Sequence, residues 1–319
     1  MSILRIVTTE ADFTTLAATP STNATFYDPD RVANSFLFGD KITATVSHAT
    51  SSQTDTWYHF VHGQSGTTNS HDTNWVEFID PQANLVGRIR LDGNTMYFSV
   101  FGDTTVESTG TVIPVNTPVV IDFELSINSN IDIVASAYVN NTLQFSATVT
   151  NSNNKSNPNL LKFDNDDSNF SLYASEIIIA DEDTRGFRLR EFKPQSFGSF
   201  QQWDGTVSSV VDSSLATGVS TDVADARVSF GVDNLDNVNA GDIINRIVVQ
   251  SHAQRGTTGL TSINNFFRYS DGSIEDGPDI ALDEFGDWYV DEYVNNPDTG
   301  SPWTPAELAG LQLGIRARA

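Results

Sequence analysis

Two carboxylates stand two positions apart in the alternating run Ile121-Asp122-Phe123-Glu124-Leu125-Ser126-Ile127. Side chains two apart on a strand share a face, and a pair of acidic groups on one face is the apparatus of glycoside hydrolysis. The next residue on that face is Ser126, with no third carboxylate continuing the series, so Asp122 and Glu124 are expected on an outward, solvated strand face. His59 and His62 are three apart in a strand and point to opposite sides. With His71-Asp72 nearby they still fall short of the three or four converging ligands that zinc requires. Asp164-Asn-Asp-Asp167 and Asp181-Glu-Asp183 are oxygen-rich loops of the kind that hold calcium, but neither has the Asp-x-Asp-x-Asp-Gly spacing. There is no phosphate loop and no Gly-x-Ser-x-Gly elbow. No catalytic residue, cofactor or metal ligand is assigned, and the chain is expected not to be an enzyme.

Two further groups suit binding. Arg185, Arg188, Arg190 and Lys193 gather much of the positive charge into nine residues. They form either a solvated strand or an assembly contact for an acidic neighbour, such as another copy of the chain. Trp57, Tyr58 and Trp75, with Tyr97, carry rings that can stack on a sugar, although strand aromatics more often fill a core. The first three are the candidate glycan contacts.

These groups sit in a chain of 319 residues with 41 acidic and 17 basic side chains, a formal charge of −24. Such a surface repels polyanions, so neither nucleic acid nor an anionic membrane is expected as a partner. Cysteine is absent, which leaves packing and hydrogen bonds to hold the fold. The start, MSILRIVTTEADF, has no extended apolar run, and export by a standard route is not expected.

Period-two alternation recurs throughout the chain and predicts strands at 41–47, 56–62, 75–79, 88–91, 95–100, 121–127, 143–149, 170–173 and 176–180. Asn140-Asn141 and Asp92-Gly93-Asn94 mark tight hairpin turns. The basic stretch ending in Pro, Gly and Ser near residue 195 reads as a boundary. A polar segment follows at 203–225, then strands at 226–232, 243–254, 263–269, 280–282, 287–294 and 313–317. Thr304-Pro-Ala-Glu307 is a capping box that starts one short helix of about two turns. The expected fold is all-β: a jelly-roll β-sandwich over 1–183, a linker over 184–202, and a smaller β-rich domain with one short helix over 203–319.

Pro118-Val-Val-Ile-Asp-Phe-Glu-Leu125 and Ala137-Tyr-Val-Asn-Asn-Thr-Leu143 resemble the concanavalin A-like, laminin-G-like jelly roll, with Asn141 where that family usually has Gly. Ser175-Glu-Ile-Ile-Ile-Ala-Asp-Glu-Asp-Thr-Arg-Gly186 resembles a segment of virion proteins of marine tailed bacteriophages. So do Trp203-Asp-Gly-Thr206, Gln254-Arg-Gly-Thr257, Asp276-Gly-Pro-Asp-Ile-Ala-Leu282 and Asn296-Pro-Asp-Thr-Gly-Ser-Pro-Trp-Thr304. The resemblance implies a structural component of a phage virion, assembled in the host cytoplasm as a homo-oligomer beside other virion proteins. A tail fibre or tail-associated adhesin contacting a host surface glycan is the expected role. Head decoration, or a free lectin-like module, is the alternative. The segment 3–8 is the expected assembly arm, because a terminal strand is free to pair with a neighbour.

Overall fold

The run at 121–127 lies inside strand β12 (Val119–Asn128), which is paired on both sides, with Phe123 opposite Tyr58 on one and Ala137 on the other. Strands are numbered in chain order. The computed structural model describes the chain apart from residues 1–2, 9, 17, 29–31, 33, 52–53, 67–71, 129–131, 167–169, 212–215, 233–237 and 258. His71 and Asp167 fall among the latter. Contacts separate the chain into two units, Met1–Glu191 and Phe192–Ala319.

The first unit is a jelly-roll sandwich of two eight-stranded sheets. The front sheet has the order β14 (Thr142–Thr150), β13 (Asp132–Val139), β12, β6 (Asp55–Gly66), β16 (Phe170–Ala180), β4 (Ser35–Phe38), β3 (Ser21–Asn23), and β1 (Ile3–Val7) also pairs with β16. The back sheet has the order β10 (Thr105–Glu107), β9 (Thr95–Phe101), β8 (Leu85–Asp92), β7 (Asp72–Ile79), β15 (Leu160–Asn165), β5 (Ile42–Ser47), β2 (Thr14–Thr15), with β11 (Thr111–Val112) beside β9. Aromatic rings fill the space between the sheets. Phe78 and Phe123 stack at 4.6 Å and Phe38 and Phe163 at 5.1 Å, with Trp75 edge-on to Phe38. Each such buried ring contributes about 1.5–3 kcal/mol, which makes up for a modest apolar content.

Turn chemistry follows the sequence. Asn140 and Asn141 both have positive φ and close the β13–β14 hairpin, and the Asn140 side chain accepts from the Val120 amide of β12 at 2.9 Å. Residues 170–180 form one strand where two were expected. Its continuity is bent by a bulge at Glu176, which has φ +50. The expected free arm is also corrected: β1 pairs antiparallel with Ile177–Ala180, Val7 belongs to the core, and Arg5 donates to buried Asp12 at 2.7 Å. The terminal strand is consumed by its own sheet.

The second unit has a five-stranded sheet in the order β17 (Pro194–Gln201), β18 (Arg227–Val232), β23 (Gln312–Arg318), β20 (Ser262–Arg268), β21 (Ile274–Ala281). A separate pair joins β19 (Ile247–Ala253) to β22 (Asp287–Tyr293). Strand β17 lies inside the segment 184–202 expected as a linker, hidden there by its Pro and Gly. Val249, Phe267, Trp303, Leu308 and Leu311 form the core. The expected two-turn helix is a single 3₁₀ turn, Pro305–Leu308, before Gly310 at φ +72. The backbone amide and hydroxyl of Thr304 both donate to the Glu307 carboxylate. A one-turn helix also lies at Ser208–Val211.

On the five-stranded sheet, Asp276 takes Arg227 and Arg316, and Asp225 takes Arg316 and Arg318, so charges interlock across several strands. Gly314 is required by its neighbour: a β-carbon there would lie 2.1 Å from the fully buried Phe266 ring. Gly314→Ala is expected to cost about 1–3 kcal/mol through overpacking. Urea denaturation of the whole chain measures it, and an unchanged midpoint would refute the close approach.

Candidate functional site

Asp122 is not on a solvated face. It is 0% exposed, and the physical reason is the chain beyond β16: Thr184, also fully buried, folds over the front sheet and donates its hydroxyl to Asp122 Oδ1 at 2.9 Å. On the neighbouring strand, directly opposite Asp122, His59 Nδ1 donates to the same oxygen at 2.8 Å. Among the described residues, His59 Nε2 and Asp122 Oδ2 are buried with no hydrogen-bond partner. The arrangement is a carboxylate orienting an imidazole, with a residue of the covering segment as third member. Glu124, next on that face, is half-buried. Burial first, then the nearby Asp55 and Asp183, push its carboxyl up, against opposing contributions from Ser136 and Arg185. Thr184→Val, which deletes one of the two donors, is expected to lower stability by about 1–3 kcal/mol and to open residues 181–191 to protease. Unchanged cleavage there would argue against Thr184 as the fastening.

The covering segment also unites residues from both expected binding groups. Trp57 and Tyr138 stack at 6.0 Å, and the Arg185 guanidinium lies over both rings, 5.4 Å from Trp57 and 4.5 Å from Tyr138. Asp183 holds that guanidinium in a two-pronged ion pair. Trp57 is therefore 5% exposed, under Arg185 rather than open to a sugar. Tyr58 and Trp75 are corrected more strongly. Both point between the sheets, fully buried, and touch Phe78 and Phe38 respectively. Tyr97 carries Arg90 at 4.1 Å. Residues 185–193 form no strand. Arg188 is exposed, Arg190 is half-buried, and Lys193 falls in the second unit.

His59 and His62 do point to opposite sides: His62 faces the interior, its ring 5.9 Å from Trp75, and burial lowers its pKa to about 4. The acidic loops are drawn apart. Asp164 belongs to β15 and pairs with Lys162, Asp181 is buried, and Asp183 pairs with Arg185. Among the described residues, no three His, Asp or Glu side chains converge as a metal site.

One patch went unnoticed in the sequence. The β21–β22 connection puts Phe285 into solvent at 90% exposure. The loop behind it is fixed: Asp283 Oδ1 accepts from the Phe285 amide at 2.8 Å, the Asp283 amide donates to Tyr289 OH at 2.7 Å, and Arg255 pairs with Glu284. Gly286, at φ +76, allows the chain to turn back. Half-exposed His252 and Trp288, cross-strand partners on β19 and β22, meet edge-on at 5.4 Å. Aromatic faces beside an Arg–Glu pair can take the apolar face of a sugar ring and its hydroxyls together. Its only signal in the sequence is a bulky apolar residue inside Asp-Glu-Phe-Gly-Asp, where a turn has no packing use for it. Concavity adds little. A cavity of about 10 Å³ near Val7, Phe36 and Leu189 has room for about one water, and an open depression of about 310 Å³ lies beside Gln202 and residues 223–226.

No family model and no curated protein matches the sequence. Several solved structures are similar in fold. An endo-β-1,4-glucuronan lyase from the fungus Trichoderma reesei aligns with 57% of this chain and 92% of its own at 10% identity and TM-score 0.42. A botulinum neurotoxin type C structure, whose cell entry depends on interaction with two ganglioside molecules, aligns with 89% of this chain and 66% of its own at 11% identity and TM-score 0.40. A carbohydrate esterase from the Shiga toxin-encoding bacteriophage phi24B aligns with 59% of this chain and all of its own at 9% identity and TM-score 0.40. The expectation that this chain is not an enzyme is withdrawn, because a lyase and an esterase stand among these neighbours. At such identities the likeness is one of fold alone and assigns no activity. The chain is an all-β protein whose first unit is a jelly-roll sandwich.

Proposed function

We propose that this chain is a carbohydrate-recognition component of a tailed-phage particle, a tail-associated adhesin whose contact patch is the β21–β22 loop of the second unit. The observation that carries the recognition role is Phe285, 90% exposed on a hydrogen-bonded loop beside half-exposed Trp288 and His252. A single exposed apolar side chain is ordinary, but Phe285 on the loop that joins the strand carrying Trp288, itself paired with His252, offers aromatic faces on which a sugar ring can stack. The segments similar to virion proteins support the particle setting, and the −24 charge keeps a surface protein soluble and disperse.

Glycan-array binding by the whole chain tests the patch. Phe285→Ser and Trp288→Ala should each weaken any glycan bound by wild type by at least about tenfold, the scale of one lost aromatic contact. Equal binding by both variants would remove the patch from the site. Gold-labelled antibody on intact particles tests the setting. Label on the tail supports the adhesin, label over the head favours decoration, and no label refutes a particle component.

A further inference from the structure

Among the described residues, strand β14 ends the front sheet with β13 as its one paired strand, and it is unlike the other strands that end the sheet paths of the first unit. The ends of the two sheet paths of the first unit are β14 with nine residues, β3 with three, β10 with three and β2 with two. Very short edges resist pairing with another chain, and charged side chains do the same. β14 has neither protection. Its sequence, Thr-Leu-Gln-Phe-Ser-Ala-Thr-Val-Thr, carries no charge, and it lies in residues 133–154, the longest uncharged run in the chain. Phe145 and Val149 point into the core, while Ser146, Thr148 and Thr150 are exposed on the outer face. The strand is bulged at Gln144 and regular from Phe145 onward, and residue 103 closes its far end, where Thr150 O accepts from the Asp103 amide at 2.7 Å, so the stretch open for pairing is Phe145–Val149. Leu143 is 53% exposed at its start. Thr111 donates to Gln144 at 3.1 Å, which places β11, with Val112 71% exposed, alongside.

We propose that β14 pairs antiparallel with β14 of a second copy of this chain across a two-fold axis, joining two front sheets into one continuous sheet. Charge selects this partner. Each copy carries −24, so two copies can approach closely only where the contact brings no like charges together. A neutral edge is what such self-pairing needs, and it offers nothing to attract a cationic stranger. Two-fold pairing of one strand with itself is also a closed, isologous contact that does not run on into fibres. The edge amides and carbonyls supply the adhesion, and the Ser and Thr side chains supply cross-strand partners. The proposal does not rest on the glycan patch, which lies in the second unit.

Sedimentation velocity of the whole chain tests it. Wild type should show a species of twice the 34.8 kDa chain mass that strengthens with salt, because screening relieves the repulsion between like-charged copies. Ser146→Glu with Thr148→Glu sets like charges against each other across the axis on exposed positions. It should weaken association by at least about tenfold while the circular dichroism melt stays unchanged. Ser21→Glu, on the opposite edge of the same sheet, should leave association intact. Amide exchange at 145–149 should slow as wild-type concentration rises. A monomer at every concentration and salt, or a dimer indifferent to the double substitution, overturns the proposal. Phe285→Ser should dimerise like wild type, so loss of glycan binding and loss of pairing are read separately.

Discussion

Between pH 6.5 and pH 4 the first unit is expected to lose about 5 kcal/mol of stability, the contribution of two buried histidines. Burial is the main cause for both: the pKa of His48 and of His62 falls from 6.5 to about 4. His48 Nδ1 donates to the Ala49 carbonyl at 2.9 Å and Nε2 accepts from Tyr58 OH at 3.4 Å, a pattern assigned to the neutral ring, and Arg5 further opposes charge there. Among the described residues neither nitrogen of His62 makes a well-formed hydrogen bond, and the Gln64 side chain beside it opposes the effect of burial only in part. The sign follows from proton uptake. Above pH 6.5 both rings are neutral folded or unfolded, and stability does not change. Below it the unfolded chain binds protons that the folded chain refuses, so stability falls until the folded rings also titrate near pH 4. At about 1.36 kcal/mol per pH unit, and with each ring half titrated at either end, the span from 6.5 to about 4 gives about 2–3 kcal/mol for each ring. That sum rivals the whole stability of an ordinary domain.

Few other groups share that window. In the first unit, Glu107 and Asp183 are pushed up by burial but drawn below the usual carboxylate range by Arg90 with Ser99 and by Arg185, so what they contribute is lost in stronger acid. Glu124 acts with the opposite sign: its raised pKa favours the folded state at low pH and gives up that contribution as pH rises, offsetting part of the histidine loss. Urea midpoints from neutral pH to pH 4 measure the slope. His62→Leu should remove about half of it, and a flat wild-type profile would show that the buried rings accept protons without cost.

The second large effect belongs to Asp122. Asp122→Ala is expected to cost about 3–5 kcal/mol, because it leaves His59 Nδ1 and the Thr184 hydroxyl buried with no acceptor. Asp122→Asn keeps an oxygen for both donors and should recover much of the loss. Chemical denaturation of the three proteins ranks them. If the alanine and asparagine variants unfolded alike, loss of the acceptor would not be the cause.

The strands themselves were readable wherever one face is wet. The alternation at 121–127 and 143–149 and the Asn140-Asn141 turn reappear in the structure with small changes of boundary. What the sequence hid depends on chain far away. Asp122 reads as a solvent-facing residue until Thr184 folds over it. From Thr56 to Gln64 every residue is buried, so alternation in β6 no longer tells inside from outside. Trp57, Tyr58 and His59 could not be sorted by parity alone: Tyr58 meets Phe78 in the core, while Trp57 lies under Arg185 on the other face. Phe285 was missed for the opposite reason, because an apolar residue in a polar turn has no period to betray it.

Strand β1 has a consequence for how the protein is made. Val7 pairs with Ile177, 170 positions later. At ribosomal speeds of about 5–20 residues per second, roughly 10–35 seconds pass between synthesis of the two strands. Until β16 emerges, β6 lacks one neighbour and the apolar side chains of β1 have no sheet to join. The sandwich therefore closes late, as a unit, and a pause or truncation before residue 177 should release a sticky nascent chain that depends on chaperones.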